Sequence, residues 1–191
     1  NFAHGPYAIE AAEAGVPVIV LEKPPVIWPG YPKGREADAE TKKNESMDFL
    51  RKVLDTVRES GSKLLYAEDF IYFDGVKALV ELLAESQKVD KGKVLYQFGV
   101  CAHQGSHAPA YDTPALSGGG ALFNKGCHPL GPCLFLKQVE GILRNGKPIR
   151  PAKVSAIALQ VLKHQPESSG EHFRVMQNVD DFSRMTVVFE D

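Results

Sequence analysis

Apolar and polar positions switch between a helical and a strand period along this chain, and the switches mark its elements. Tyr7 to Ala14 is built from strong helix formers, and Gly15 supplies the stop. Val16 to Leu21 is apolar throughout, which predicts a parallel strand covered on both faces. Val26 to Lys43 is polar and holds Trp28, Pro29, Gly30, Tyr31 and Pro32, which predicts a long loop: a lid, an insertion or a mobile surface segment. Ser46 reads as an N-cap, because Met47, Leu50, Val53, Leu54 and Val57 then follow at helical spacing until Gly61. Lys63 to Ala67 reads as a short strand, and Val76, Leu79, Val80 and Leu83 define another helix. Val94, Tyr96, Phe98 and Val100 alternate within Lys93 to Cys101, the pattern of a half-buried strand.

The second half turns on three consecutive glycines, Gly118 to Gly120, which permit close backbone approach. A helical run follows, with Leu122, Leu130, Leu134 and Phe135 on its apolar positions. On one helix Asn124 and His128 are i and i+4, so they share a face. Pro129 and Pro132 remove two backbone donors, which predicts a kink just after His128. Asn145-Gly146 marks a turn, Val154 to Leu162 and Met185 to Phe189 read as strands, and Gln165 to Gly170 as a polar connection. The order of these elements predicts α/β plus α+β. The expected architecture is the C-terminal part of a Rossmann dinucleotide-binding domain (1–67), then an open mixed or antiparallel sheet domain with helices on one face (68–191).

Composition narrows the function classes. The 191 residues carry a formal net charge of -2 without a long basic run, so nucleic acid is not an expected partner. No apolar stretch reaches the ~18 residues of a membrane helix, so no membrane partner is expected either. Three cysteines, Cys101, Cys127 and Cys133, form no disulfide framework, and the expected setting is a reducing cytoplasm.

Two stretches together point to a family. Asn1 and His4 precede a helix, Ala14-Gly15, a strand and then Glu22-Lys23-Pro24; later come Gly118 to Gly120 and Asn124 to His128. This order resembles the Gfo/Idh/MocA family of nicotinamide-dependent oxidoreductases, which carries Asn-x-x-His, Ala-Gly, Glu-Lys-Pro, Gly-Gly-Gly and an Asp-x-x-x-His helix. The resemblance implies an NAD or NADP cofactor. It implies a Gly-rich phosphate loop before the position of Asn1, since no G-x-G-x-x-G follows a strand here. On that reading the chain is the middle of a longer polypeptide and binds cofactor weakly by itself. It also implies a homo-oligomer built through the sheet domain.

The same resemblance implies the chemistry. Hydride leaves a hydroxyl-bearing carbon of a sugar, cyclitol or related small molecule while the hydroxyl proton departs, which needs a base and a cation near the developing alkoxide. His128 is the implied acid–base residue and Lys23 the alkoxide stabiliser or proton relay, both serving one substrate. Asn1, His4, Glu22 and Lys23 lie near the nicotinamide half. Glu68, Tyr72, Asn124 and His128 are the candidate substrate contacts. Asn124 is also a candidate catalytic residue, standing where many relatives have Asp, and an amide carries no charge to support a neighbouring base. Gly131 likewise replaces a common acidic residue. A non-catalytic member that binds a ligand or a protein is the alternative. A metal enzyme built from Cys101, His103, His107, Cys127, His128 and Cys133 matches no standard zinc spacing, so no metal site is expected.

Overall fold

The structure is a computed structural model that describes residues 1–89, 92–103, 108–162 and 178–191. In chain order the helices are α1 (His4–Glu13), α2 (Ala39–Ser60), α3 (Asp74–Gln87), α4 (Pro114–Ser117), α5 (Ala121–Asn124) and α6 (Cys127–Asn145). The strands are β1 (Val18–Glu22), β2 (Lys63–Ala67), β3 (Pro151–Leu159) and β4 (Phe182–Phe189), with short 3-10 turns at Tyr31–Lys33, Asp69–Tyr72 and Pro109–Asp112. The chain is thus mixed helix and sheet, as the pattern predicts. It divides into two units: Asn1–Ala67, His103–Asn124 and Leu159–Phe182 form unit 1, and Glu68–Ala102, Lys125–Ala158 and Ser183–Asp191 form unit 2. His107 and the Gln165 to Gly170 connection lie outside the described residues.

Unit 1 is organised by a parallel pair. β1 runs beside β2 in register from Val18 opposite Lys63 to Glu22 opposite Ala67. α1 packs on β1 and on α2. Ala8 and Ala12, Ile19 and Leu21, Val26, and Val53 and Val57 interlock there as a dry core. Burying each valine stabilises the unit by roughly 1.5–3 kcal/mol. The expectation that β1 is covered on both faces fails. Ile19 and Leu21 are buried, but Val18 is 48% and Val20 69% exposed. Helices cover one face of the pair, so an all-apolar strand still has an in and an out side.

Two further expectations in unit 1 are corrected. Helix α2 begins before Ser46: Asp38 is its N-cap, and its side chain accepts the Thr41 N–H at 2.7 Å. Ser46 sits inside the helix and its hydroxyl donates to the Lys42 carbonyl. The segment before α2 is also no free surface loop. Ile27 and Trp28 are buried. The Trp28 indole donates to Glu45, which Arg35 grips with both terminal nitrogens. Lys42 lies over the rings of Trp28 and Tyr31, fixing the corner against α2.

In unit 2, α3 packs on α6, and the Asp69–Tyr72 turn packs on α6 as well. Here β3 and β4 pair as a two-stranded sheet. The Lys93 to Cys101 stretch is not a strand. Three of its four alternating residues are exposed, Tyr96 at 80%, Phe98 at 78% and Val100 at 69%. A strand needs a ladder partner to satisfy its amides, and β3 and β4 use each other. Instead the stretch lies along α6: the Gln97 side chain donates to the Cys133 carbonyl, and Lys137 reaches the Val94 carbonyl.

The helix expected through Asn124 and His128 is broken before His128 rather than kinked after it. α5 ends at Asn124, Lys125 and Gly126 form a turn, and α6 starts at Cys127. Asn124 and His128 are therefore not on one helical face. Pro129 explains the shift. Its ring would clash with the Lys125 carbonyl in a continuous helix, whereas in the first turn of a new helix its missing N–H costs nothing. Pro132 stays inside α6.

Candidate functional site

Lys23 owes its place to the parallel pair, since it follows directly on the carboxyl end of β1. That is the edge of a parallel sheet where ligands generally bind. The Lys23–Pro24 peptide is cis. The Lys23 ammonium, 13% exposed, donates to the Asn124 carbonyl at 2.9 Å and stands 4.0 Å from the Glu22 carboxylate. One donation leaves two of its N–H groups for other acceptors. Asn124 thus meets Lys23 through its backbone, not through the amide the sequence singles out.

Asn1 and His4 act as ties in the same unit. The Asn1 side-chain amide donates to the Ser117 carbonyl. His4 Nδ1 lies 2.8 Å from the Pro24 carbonyl. A carbonyl only accepts, so Nδ1 is the protonated nitrogen of His4. These bonds join the start of α1, the Glu22-Lys23-Pro24 end of β1 and the glycine turn, so unit 1 brings Asn1, His4, Glu22, Lys23 and Asn124 together. A small cavity of about 200 Å³ opens at Asn1, lined by Ala110, Tyr111, Leu116 and Ser117.

The glycines have a local occupant. Gly118 takes φ +84°, in the left-handed region, and a Cβ on it would run into Ile27. A Cβ on Gly120 would lie 1.8 Å from the Asp180 carbonyl oxygen. That closeness lets the Asp180 carboxylate accept the N–H groups of Gly120 and Leu122, each at 2.9 Å, while its carbonyl accepts Ala121 N–H at 2.8 Å. Asp180 is a residue the sequence reading missed. Its signal is an isolated Val-Asp-Asp ahead of a strand, which nothing in a single sequence links to glycines sixty positions earlier.

His128 sits in unit 2 beside a partner that the sequence reading assigned elsewhere. Glu68, expected to face substrate, is 4% exposed, and its Oε1 lies 3.0 Å from His128 Nδ1. The same oxygen accepts the Phe70 N–H at 3.3 Å. Phe70 stacks on the imidazole with centroids 4.4 Å apart and planes 20° apart. An ionised carboxylate only accepts, so it selects the Nδ1–H form of His128 and leaves Nε2 as the nitrogen with a lone pair. Gly131 makes the room: a Cβ there would stand 2.7 Å from Glu68 Cγ. Where the resemblance expects an acidic side chain on the helix, this chain has a gap, and Glu68 fills it from the neighbouring turn. Tyr72, the other substrate candidate in this unit, is 65% exposed.

Cys127, Glu68 and His128 each offer one donor atom, all within 4.8 Å of one another. None of the three cysteines forms a disulfide. Burial pushes the Cys133 thiol up from its ordinary value. Of the residues weighed for a metal from the sequence, Cys127 and His128 do share a cluster, joined by Glu68. No described helix is long and apolar enough to cross a membrane.

No known family profile matches the chain. No curated protein matches it either. Solved structures do, among them proteins described as NAD-binding or as oxidoreductases. An inositol dehydrogenase homologue from Azotobacter vinelandii, complexed with NAD+, aligns over 100% of this chain and 41% of its own, at a TM-score of 0.65 and 15% identity. Aldose-aldose oxidoreductase from Caulobacter crescentus, complexed with glycerol, aligns over 100% and 45%, at 0.61 and 17%. GenD2 from gentamicin A biosynthesis, in complex with NAD, aligns over 99% and 42%, at 0.60 and 19%. The likeness is one of fold, and the chain spans less than half the length of each of these structures.

Proposed function

We propose that this chain carries part of an oxidoreductase that moves hydride between a nicotinamide cofactor, NAD or NADP, and a hydroxyl-bearing carbon of a sugar, cyclitol or related small molecule. The observation that carries the reading is the Glu68–His128 pair. Removing hydride from a carbinol requires that its proton leave to a positioned base. His128 Nε2 is that base, with Nδ1–H held on Glu68 and the ring braced by Phe70. Within unit 1, Lys23 keeps N–H groups of the kind that stabilise a negatively charged oxygen, which is the role the resemblance implies for it. Hydride acceptance or donation is the chemistry a bound nicotinamide supplies.

The residues of unit 1 fit the nicotinamide end of such a cofactor. Glu22 and Lys23 present opposite charges at the carboxyl end of β1, and His4 and Asn1 brace the segments beside them. The cavity at Asn1 is smaller than the ~300 Å³ at which ligand pockets usually begin. At the glycine turn the N–H groups of Gly120, Ala121 and Leu122 are committed to Asp180, that of Gly118 to the Pro114 carbonyl and that of Gly119 to the Ser117 hydroxyl. This chain's own residues therefore fit the nicotinamide and not the diphosphate, which supports weak cofactor binding by the 191-residue chain alone.

The test is NAD(P)H formation by the polypeptide that carries this chain, across a panel of polyols, cyclitols and aldoses. His128→Asn and Lys23→Met should each lower kcat by about 10²–10⁴-fold. Absence of turnover with every compound, together with ligand binding that needs no nicotinamide, would favour a non-catalytic binding protein instead.

A further inference from the structure

We propose that Glu68, Cys127 and His128 form a binding site for a divalent cation of the zinc class. The inference stands on the donor set and does not require the hydride-transfer reading. A thiolate sulfur, an imidazole nitrogen and a carboxylate oxygen are the donors that zinc takes, whereas magnesium and calcium prefer oxygen alone. Tetrahedral zinc holds neighbouring donors roughly 3.5 Å apart. Here one atom from each residue already lies within 4.8 Å of the others, so small side-chain shifts close the set.

A second observation points to a ligand. Glu68 is 4% exposed, and its Oε2 is buried without a hydrogen-bond partner among the described residues. A buried carboxylate oxygen left unsatisfied is costly, and native structures tolerate few of them. The other carboxylate oxygen is occupied by His128 and the Phe70 N–H. A cation bound beside Cys127 and the imidazole would satisfy the orphan if it drew on Oε2.

The surroundings are those of a built site. The Phe70 ring and amide hold the imidazole and the carboxylate, as supporting contacts around a metal do. Cys127 and His128 are fixed by the first turn of a nineteen-residue helix, and Gly131 leaves space for Glu68 one turn later. Three protein donors leave a fourth position for water or a hydroxyl. Binding through Nδ1 would also displace the Glu68 bond that sets the His128 tautomer, so a filled site and the proton-transferring form of His128 exclude each other.

The probe is Co²⁺ added to the metal-stripped chain, with Zn²⁺ as competitor. The expected result is a thiolate-to-cobalt absorption band that saturates at one equivalent and is erased by zinc. Cys127→Ser should abolish the band. Glu68→Gln should weaken binding at least about tenfold, since even supporting contacts are worth 10–100-fold. Cys133→Ser should leave it unchanged. If Cys127→Ser fails to fold by circular dichroism, alkylation of wild-type Cys127, mapped by mass spectrometry, replaces it, and zinc should slow that alkylation at least tenfold. No band at one equivalent, a band that survives Cys127→Ser, or Cys127 alkylated equally fast with and without zinc would each overturn the site. None of these readouts needs turnover, so a failure here leaves the oxidoreductase reading standing, and an inactive enzyme leaves the metal site standing.

Discussion

In unit 1 the three deepest side chains are apolar, Val53, Ala8 and Ala12, with Val57, Ile19 and Leu21 packed against them. In unit 2 the most deeply buried side chain is Glu140, at 0% exposure, and Lys137 beside it is at 3%. Lys137 donates to Glu140 and to Asp191, both at 2.8 Å, and Arg144 closes the square by donating to the same two carboxylates. Meanwhile apolar side chains of the unit 2 strands face outward, with Val154 at 55%, Ile157 at 52% and Val188 at 52%. One unit is therefore held by dry packing, and the other by ion pairs inside with apolar groups outside. The difference has a consequence for tolerance to change. Apolar packing degrades gradually as methylenes are lost, whereas a buried charge depends on every partner.

The sharpest way to break the comparison is at Lys137. Lys137→Met leaves Glu140 buried with Arg144 as its remaining partner, and should cost about 3 kcal/mol, the low end for a broken buried pair. The double change Lys137→Met with Glu140→Leu should restore most of that loss, because no buried charge is then left without a partner. Equilibrium urea unfolding measures both. A single-variant loss below about 1 kcal/mol would mean that the network is not what holds unit 2.

The matching test in unit 1 is Val53→Ala. Two carbon groups leave a fully buried site, so about 2 kcal/mol should be lost from transfer and cavity terms together. Native-state hydrogen exchange should show that loss in the amides of α1 and α2. Unchanged protection there would remove Val53 from the core.

The smallest effect concerns acid. The Lys137 hydrogen bond is the main cause that holds the Asp191 carboxyl down at about 2; burial opposes it next, and Arg144 then adds to the lowering. A depressed folded value means that the ionised form is the one stabilised. The contribution is complete above about pH 4 and disappears as pH falls toward 2. Arg144 and Asp191 are partly solvated, so the loss should be only on the order of 1 kcal/mol. Asp191→Asn should flatten stability between those pH values. A wild-type curve already flat there would mean that the pairs are screened away.

What the sequence determined by itself is what short-range physics settles. The Val53–Val57 stripe, the helix at Asp74–Gln87, β2 and the glycine stop at Gly61 follow from periodicity and turn chemistry, which act within a few residues. The motif order from Asn1 to His128 was likewise readable, because a resemblance lives in the linear chain. What only the tertiary structure decided is what depends on partners distant in sequence. Tyr96 and Phe98 alternate like a strand, yet among the described residues no neighbouring strand takes up their backbone groups. Asp180 reaches back to the glycines across about sixty positions, and Lys23 finds the Asn124 carbonyl across about a hundred. Glu68 becomes the carboxylate of His128 because Gly131 leaves the space, and periodicity carries no information about empty volume.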